Sequence, residues 1–140
     1  MSAEAAVLAG RAEAESLMLD TCTIDVPGEP VTDTDTGEVT NTSTRIYPTP
    51  EQVSAGNPGK CKVQSKDSAT SNPEAGEATF TVVSRQVHIP ANAADVPNGA
   101  VVTMVTSRLN SFTVGKQYRV AGFTPDTFDT AARLPVKEIL

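Results

Sequence analysis

The fold is decided by the C-terminal stretch Phe112–Phe123 (FTVGKQYRVAGF) and the segment Thr127–Val136 (TFDTAARLPV) that follows it. Apolar and polar residues alternate along much of both segments, which is the pattern of half-buried β-strands. Gly122 lies near the end of the first segment, where a glycine readily allows the chain to reverse. The two segments therefore predict a strand, a turn and a returning strand.

Shorter strand patterns recur upstream, separated by residues that favour turns. Strands are predicted at 21–26, 38–47, 60–66, 79–89 and 100–106, with a last strand at 133–140. Loops at 48–59 and 65–76 are the longest between them, and 67–76 is expected to be mobile. An N-terminal helix is predicted over 2–19, because Ser2 is a suitable N-cap and Val7, Ala14 and Met18 fall near one stripe.

One helix followed by six or seven short strands predicts a mainly β fold. We expect a small antiparallel β-barrel, or a sandwich, with an N-terminal α-helix. A chain of 140 residues suits one modest domain. That domain spans 1–140, with the helix in 1–19 and the barrel in 21–140. Aromatic residues are only 4% and Trp is absent, so the core should be built from Val, Ile, Leu and Ala.

Charge is distributed unevenly along the chain, whose net charge is -6. Residues 1–40 contain nine acids and only Arg11 as a base, whereas the remaining residues contain eight acids and ten bases. The acidic front end is interpreted as solvated surface, or alternatively as a feature that helps identical copies pack head to tail. Because phosphate affinity needs clustered bases, the whole chain should bind nucleic acid poorly without a specific context.

The two cysteines, Cys22 and Cys61, match no metal-binding spacing. We expect both to be reduced and buried, on the strand faces that carry Ile24 and Val63. The N-terminus has neither the basic nor the apolar region of a signal peptide, and no apolar run reaches membrane-spanning length. Synthesis in a reducing cytosol is therefore expected.

Two motifs in the acidic loop are weighed against a simple turn. Asp35-Thr36-Gly37 is the aspartic-protease triplet, but Thr34 and Glu38 flank it instead of the apolar and small residues that would bury a catalytic pair. Asp33, Asp35 and Gly37 are out of phase with a hand-type calcium loop. A tight turn is predicted, with weak, opportunistic Ca²⁺ binding left open.

Neither the histidine nor the lysines indicate catalysis. His88 is the only histidine and alternates with Val87 and Ile89, so it is predicted to face solvent and to form no catalytic triad. We predict no enzymatic activity, no catalytic or metal-binding residue and no cofactor. Lys60, Lys62 and Lys66 should form a positive stripe. It is interpreted as solubilising lysines on an edge strand, or alternatively as a surface for DNA phosphates or an acidic neighbour.

A set of short segments runs nearly end to end along the chain: Ala9–Met18, Asp20–Ile24, Thr36–Val39, Gly59–Gln64, Pro97–Thr103, Tyr118–Gly122 and Thr130–Val136. In order and spacing this set resembles the head-to-tail stopper family of phages that infect actinobacteria, also called head-completion or head-tail connector proteins. The chain departs from the family pattern at Ala100 and Ala132, where Asp and Arg are frequent.

The resemblance implies a structural protein of the virion neck, made in the cytoplasm of the host bacterium. Its copies would form a ring, of twelve or alternatively six, below the portal and adaptor complex and above the tail terminator or tail tube. The ring would join capsid to tail and retain packaged DNA without sequence specificity, and no membrane is involved. A tail terminator or other neck ring protein is the main alternative. A monomeric β-sandwich that binds a ligand is a more distant one, because the few aromatic residues occupy core-like positions.

Within such a ring, two groups of interaction residues are predicted. The segment 48–59, with the lysines next to it, is favoured over 65–76 as the channel-facing loop, because long loops in compact domains are often functional. Its residues are Pro48, Glu51, Gln52, Asn57, Lys60 and Lys62. The N-terminal helix is expected to contact neighbouring subunits or the adaptor through Val7, Leu8, Arg11 and Met18.

Overall fold

The computed structural model describes residues 2–66 and 84–140 of the chain. Helix α1 spans Ala3–Ser16 and a short helix α2 spans Pro50–Ser54. The strands are β1 Asp20–Pro27, β2 Val31–Thr32, β3 Val39–Thr40, β4 Ser43–Tyr47, β5 Lys60–Lys66, β6 Ser84–Pro90, β7 Val101–Ser107, β8 Gln117–Val120 and β9 Ala131–Ile139. The predicted loop at 67–76 and the start of the strand predicted at 79–89 lie outside the described residues.

Six antiparallel strands close into a ring in the order β1, β5, β6, β9, β8, β7. The ring closes because β1 pairs with β5 through Asp20 and Thr21 and with β7 along Asp20–Asp25. Farther along β1, β4 takes over from β5 as its neighbour. We call this six-strand ring the closed sheet. The prediction of a mainly β fold with an N-terminal helix is confirmed.

The interior of the closed sheet is filled by side chains that alternate along its strands. Ile24, Val87 and Leu134 are fully buried in one cluster to which all six strands contribute. The predicted aliphatic core is therefore present, but Tyr47 and Tyr118 are also buried and are its largest members. Truncating a buried leucine to alanine typically costs about 2–5 kcal/mol, so this cluster supplies a large part of the stability.

Strands β1 and β4 form the base of a long hairpin, and β2 and β3 form its tip. The Gly28 N–H donates to the Thr42 carbonyl at 2.6 Å, which connects the two ladders. At the end of the tip, the Gly37 N–H donates to the Asp33 carbonyl at 2.8 Å, and the Asp35 N–H donates to the Asp33 carboxylate at 2.8 Å. Asp35-Thr36-Gly37 thus forms the predicted turn. We call residues 28–42 the arm.

Helix α1 packs on the outside of the closed sheet, against β6 and β9. The Ser2 hydroxyl accepts the Ala5 N–H at 3.1 Å, as expected for an N-cap. A Cβ atom on Gly10 would lie 2.7 Å from Cγ2 of Thr130, so the glycine permits close approach to the sheet. The helix ends at Ser16 rather than Leu19, because the next two N–H groups tighten the last turn onto Ala14 and Glu15.

Three predicted elements differ from the structure, two of them because of local hydrogen bonds. The loop predicted at 48–59 contains α2, which starts with a reciprocal capping box between Thr49 and Gln52. The strand predicted over 112–123 begins only at Gln117, because the Asn110 side chain caps a 3-10 turn at Ser111–Thr113. The strand predicted at 38–47 is interrupted between β3 and β4.

Candidate interaction surfaces

His88 is buried at 4% exposure, so the prediction of a solvent-facing histidine was wrong. Its ring does lie on the outer face of β6, because Val87 and Ile89 fill the interior. Helix α1 packs outside this strand and covers it. Burial, together with the charges of Lys62 and Arg133, lowers the pKa of His88 to about 4. The imidazole is therefore neutral at neutral pH.

A band of positive charge lies on the outside of β5, β6, β9 and β8. Cys61, Leu134 and Tyr118 point inward, so the residues that alternate with them point outward. We call these outward bases the basic face: Lys60, Lys62, Arg119, Arg133 and Lys137. Lys62 and Arg133 flank His88 from the neighbouring strands, and Arg119 lies opposite Lys137.

No acid lies on the basic face among the described residues of these four strands. Glu138, their one acidic residue, lies on the alternate side of β9 and forms an ion pair with Lys116 at 3.0 Å. The lysine stripe predicted on β5 is therefore part of a wider basic surface, although the Lys66 side chain lies outside the described residues. β5 is paired on both sides, so the prediction of an edge strand was wrong.

The arm is an acidic, exposed surface. It contains Glu29, Asp33, Asp35 and Glu38 and no Lys or Arg. All residues from Pro27 to Arg45 are exposed, including two valines at the tip. At its base, Arg45 forms an ion pair with Asp25 at 3.0 Å. The arm thus carries a charge opposite to that of the basic face on the same small body.

The predicted channel-facing segment is ordered by its own hydrogen bonds. The Gln52 side chain donates to the Ala93 carbonyl at 2.7 Å. Asn57 Oδ1 accepts from the Tyr47 hydroxyl at 3.2 Å, from the Gly59 N–H at 3.0 Å and from the Lys60 N–H at 2.8 Å. Gln52 and Asn57 therefore have structural roles. Pro48 is half-buried, whereas Glu51 is exposed and free to contact a partner.

The residues predicted for the helix interface divide between two roles. Val7 and Arg11 are half-buried and Met18 is 5% exposed, so they face the chain's own sheet. The Arg11 side chain donates to the Asp129 carbonyl at 3.0 Å. Leu8, at 54% exposure, lies with the exposed Phe128 along a cleft of about 260 Å³. Of the four predicted residues, Leu8 presents the most apolar surface to a partner.

Cys22 and Cys61 are both fully buried and free, as predicted. They lie on adjacent strands within the core cluster. A hydrogen bond that the Cys61 thiol donates to the Cys22 sulfur, and then burial, raises the pKa of the Cys61 thiol. The Cys61 thiol therefore remains protonated, and burial shields both thiols from reagents in the folded chain.

Metal-binding clusters and membrane-spanning helices are both absent from the described part of the chain. Between residues 2–66 and 84–140 there is no group of three or more His, Cys, Asp or Glu side chains placed to hold a metal ion. No helix in those ranges has the length and apolar character needed to cross a membrane.

Comparison with known proteins places the chain in a family. No curated protein and no solved structure matches it. A family model described as a family of unknown function, DUF6093, matches residues 10–137. The match begins within α1, includes the arm and five complete strands of the closed sheet, and ends within the sixth, β9. The chain therefore belongs to the DUF6093 family.

Proposed function

We propose that this protein is a head-to-tail stopper of the virion neck. Its copies form a ring below the portal and adaptor complex, join the filled capsid to the tail and retain packaged DNA. Support comes from the ordered segments between Ala9 and Val136 that resemble the stopper family. The closed sheet with an outer N-terminal helix is also the class of fold that this resemblance implies.

The structural observation that carries the proposal is the separation of charge between the arm and the basic face. An exposed acidic hairpin and a basic sheet surface are unlike patches on the same chain. Identical copies that associate through unlike patches form a head-to-tail contact, which closes into a ring when the rotation between copies allows it. A neck component that surrounds DNA requires such a ring.

Within the ring, the surfaces can be assigned to neighbours by their chemistry. Leu8 and the cleft beside Phe128 offer an apolar contact for the adaptor complex or for another subunit. The segment 48–59, with exposed Glu51 and the adjoining Lys60 and Lys62, is the proposed channel lining. Lysines near the lumen would contact DNA phosphates without sequence specificity, and salt would weaken those contacts.

Imaging of the virion that encodes this chain, combined with depletion of the protein, tests the proposal. We expect density for the chain between the adaptor and the tail, and we expect depleted lysates to contain heads that package DNA but lose it and attach no tails. Density at the upper end of the tail tube would instead identify a tail terminator. Fully infectious particles assembled without the protein would overturn both assignments.

A further inference from the structure

The arm has the properties of a segment that lacks its partner. Every residue from Pro27 to Arg45 is exposed, and among residues 2–66 and 84–140 no third strand pairs with the two-stranded tip. A two-stranded hairpin standing alone is only marginally stable in water. Val31 and Val39 are each 58% exposed and lie on opposite faces of the tip, since each pairs with a threonine. A surface that covers either face would bury a valine.

The basic face carries positive charge that is not paired with the acidic arm of its own chain. Its five bases lie on β5, β9 and β8, with β6 between β5 and β9, and Arg119, Arg133 and Lys137 are exposed. The ion pairs within the described residues are Asp25–Arg45 and Lys116–Glu138, so no acid of the arm is paired with this surface of its own chain. The Debye length is about 8 Å at physiological salt, so these opposite charges stabilise a complex only at close range.

From this complementarity we infer that the acidic arm of one copy docks on the basic face of a second copy. The contact sets Asp33, Asp35 and Glu38 against Arg133 and Lys137, and it covers a valine of the tip. The inference deepens the proposed function and rests on its requirement that copies associate. Each copy donates one arm and accepts one, so the contact is head-to-tail and propagates to a ring.

Two variants test separately whether a copy can donate its arm and whether its basic face can accept the arm of another copy. In the donor-deficient variant, residues 29–41 are replaced by Asn-Gly. The bond between Gly28 and Thr42 already brings the ends together, and the removed side chains are all exposed. The acceptor-deficient variant carries Arg133→Glu and Lys137→Glu, both at exposed positions. Arg108→Glu reverses an exposed charge that lies outside the four strands of the basic face and serves as the control.

Sedimentation velocity at low salt measures the association, after circular dichroism confirms that each variant melts cooperatively. The wild type and Arg108→Glu should associate to the same extent as concentration rises, whereas each deficient variant should associate at least tenfold more weakly. An equimolar mixture of the two deficient variants should form a heterodimer and nothing larger, because one copy still donates and the other still accepts.

Three results would overturn the inference: a wild type that stays monomeric at its highest soluble concentration, a deficient variant that associates like the wild type, or a mixture that forms no heterodimer.

A short DNA duplex is the competing ligand. If the acceptor-deficient variant loses binding to the duplex but keeps self-association, the basic face serves nucleic acid instead. The virion experiment is independent, because a neck protein whose armless variant still assembles would overturn this contact and leave the proposed function standing.

Discussion

His88 lies directly opposite Arg133 in the antiparallel pair β6–β9, and the two side chains share the outer face of the closed sheet. A buried imidazole beside a guanidinium has a strong reason to remain neutral, since both desolvation and the neighbouring charge oppose protonation. The burial of His88 beside Arg133 therefore makes the stability of the fold sensitive to acid.

Acid should destabilise the protein through His88. The pKa of His88 is lowered from 6.5 to about 4 in the folded chain, so between these values the unfolded state binds a proton that the folded state does not. The free energy of unfolding gains nothing from His88 above about pH 6.5 and falls by up to about 3 kcal/mol as the pH drops to 4. Urea melts across this range give the free energy of unfolding as a function of pH. The slope of that dependence should differ between the wild type and His88→Gln. A folded-state NMR titration midpoint near 6.5 would contradict the prediction.

Gly59 should be much less replaceable than Gly37, although both have positive φ angles of +111° and +72°. A Cβ on Gly59 would collide with the Cys22 carbonyl, whereas one on Gly37 meets nothing within 4 Å. Gly37→Ala should cost about 1–2 kcal/mol in the free energy of unfolding, the penalty of left-handed backbone alone. Gly59→Ala should cost at least about 3 kcal/mol. Equal urea midpoints for the two variants would show that the collision is relieved.

Asn57 should act through its carbonyl oxygen, which accepts three hydrogen bonds. Asn57→Ala leaves the N–H groups of Gly59 and Lys60 without this acceptor, although the Tyr47 hydroxyl still donates to the Lys60 carbonyl at 2.7 Å, and should lower the free energy of unfolding by about 1–3 kcal/mol. Asn57→Asp keeps an acceptor oxygen and should remain closer to the wild type. Thermal melts at neutral pH measure the difference, and a variant order with Asp below Ala would refute the assigned role.

The thiols of Cys22 and Cys61 should be protected in the native protein, because both are fully buried. A thiol reagent should label both thiols in denaturant, and it should label both much more slowly in buffer. Val105→Cys, at an exposed position on β7, provides the accessible reference. Labelling of both native thiols as fast as that reference would contradict their burial.

Leu8 should matter for assembly and not for folding. Leu8→Glu alters an exposed side chain, so the free energy of unfolding should change by less than about 0.5 kcal/mol. If the proposed neck function holds, incorporation into virions should fall at least tenfold in a complementation assay, while Ala12→Glu, on an exposed part of the same helix, should behave like the wild type. Normal incorporation of Leu8→Glu would exclude this face of α1 from assembly. This variant is preferred to deletion of 1–18, because α1 also packs against β6 and β9.

Local sequence patterns predicted the elements that depend on residues close together in the sequence. Alternation located β5, β7 and β9, and the turn chemistry of Asp35-Thr36-Gly37 predicted the end of the arm. Ser2 was identified as the N-cap because capping depends on a few adjacent residues.

The wrong predictions have a different cause. Each depends on a side chain or element that the alternation of apolar and polar residues does not report. His88 was assigned to solvent because alternation says which face a residue occupies and not what covers that face. The side chain of Asn110 converted an apparent strand at Phe112 into a 3-10 turn. The basic face could be anticipated only in part, because Arg119, Arg133 and Lys137 join Lys62 through strand order that no single segment encodes.

The pairing of β1 also has a mechanical consequence. The arm continues directly from the C-terminal end of β1, and β1 is bonded to β7 along Asp20–Asp25. Tension applied to the arm along the axis of β1 would load these hydrogen bonds in parallel, as shear, rather than opening them one after another. A strand held in shear yields at higher force than one that is peeled, so the root of the arm is suited to carry load between joined bodies.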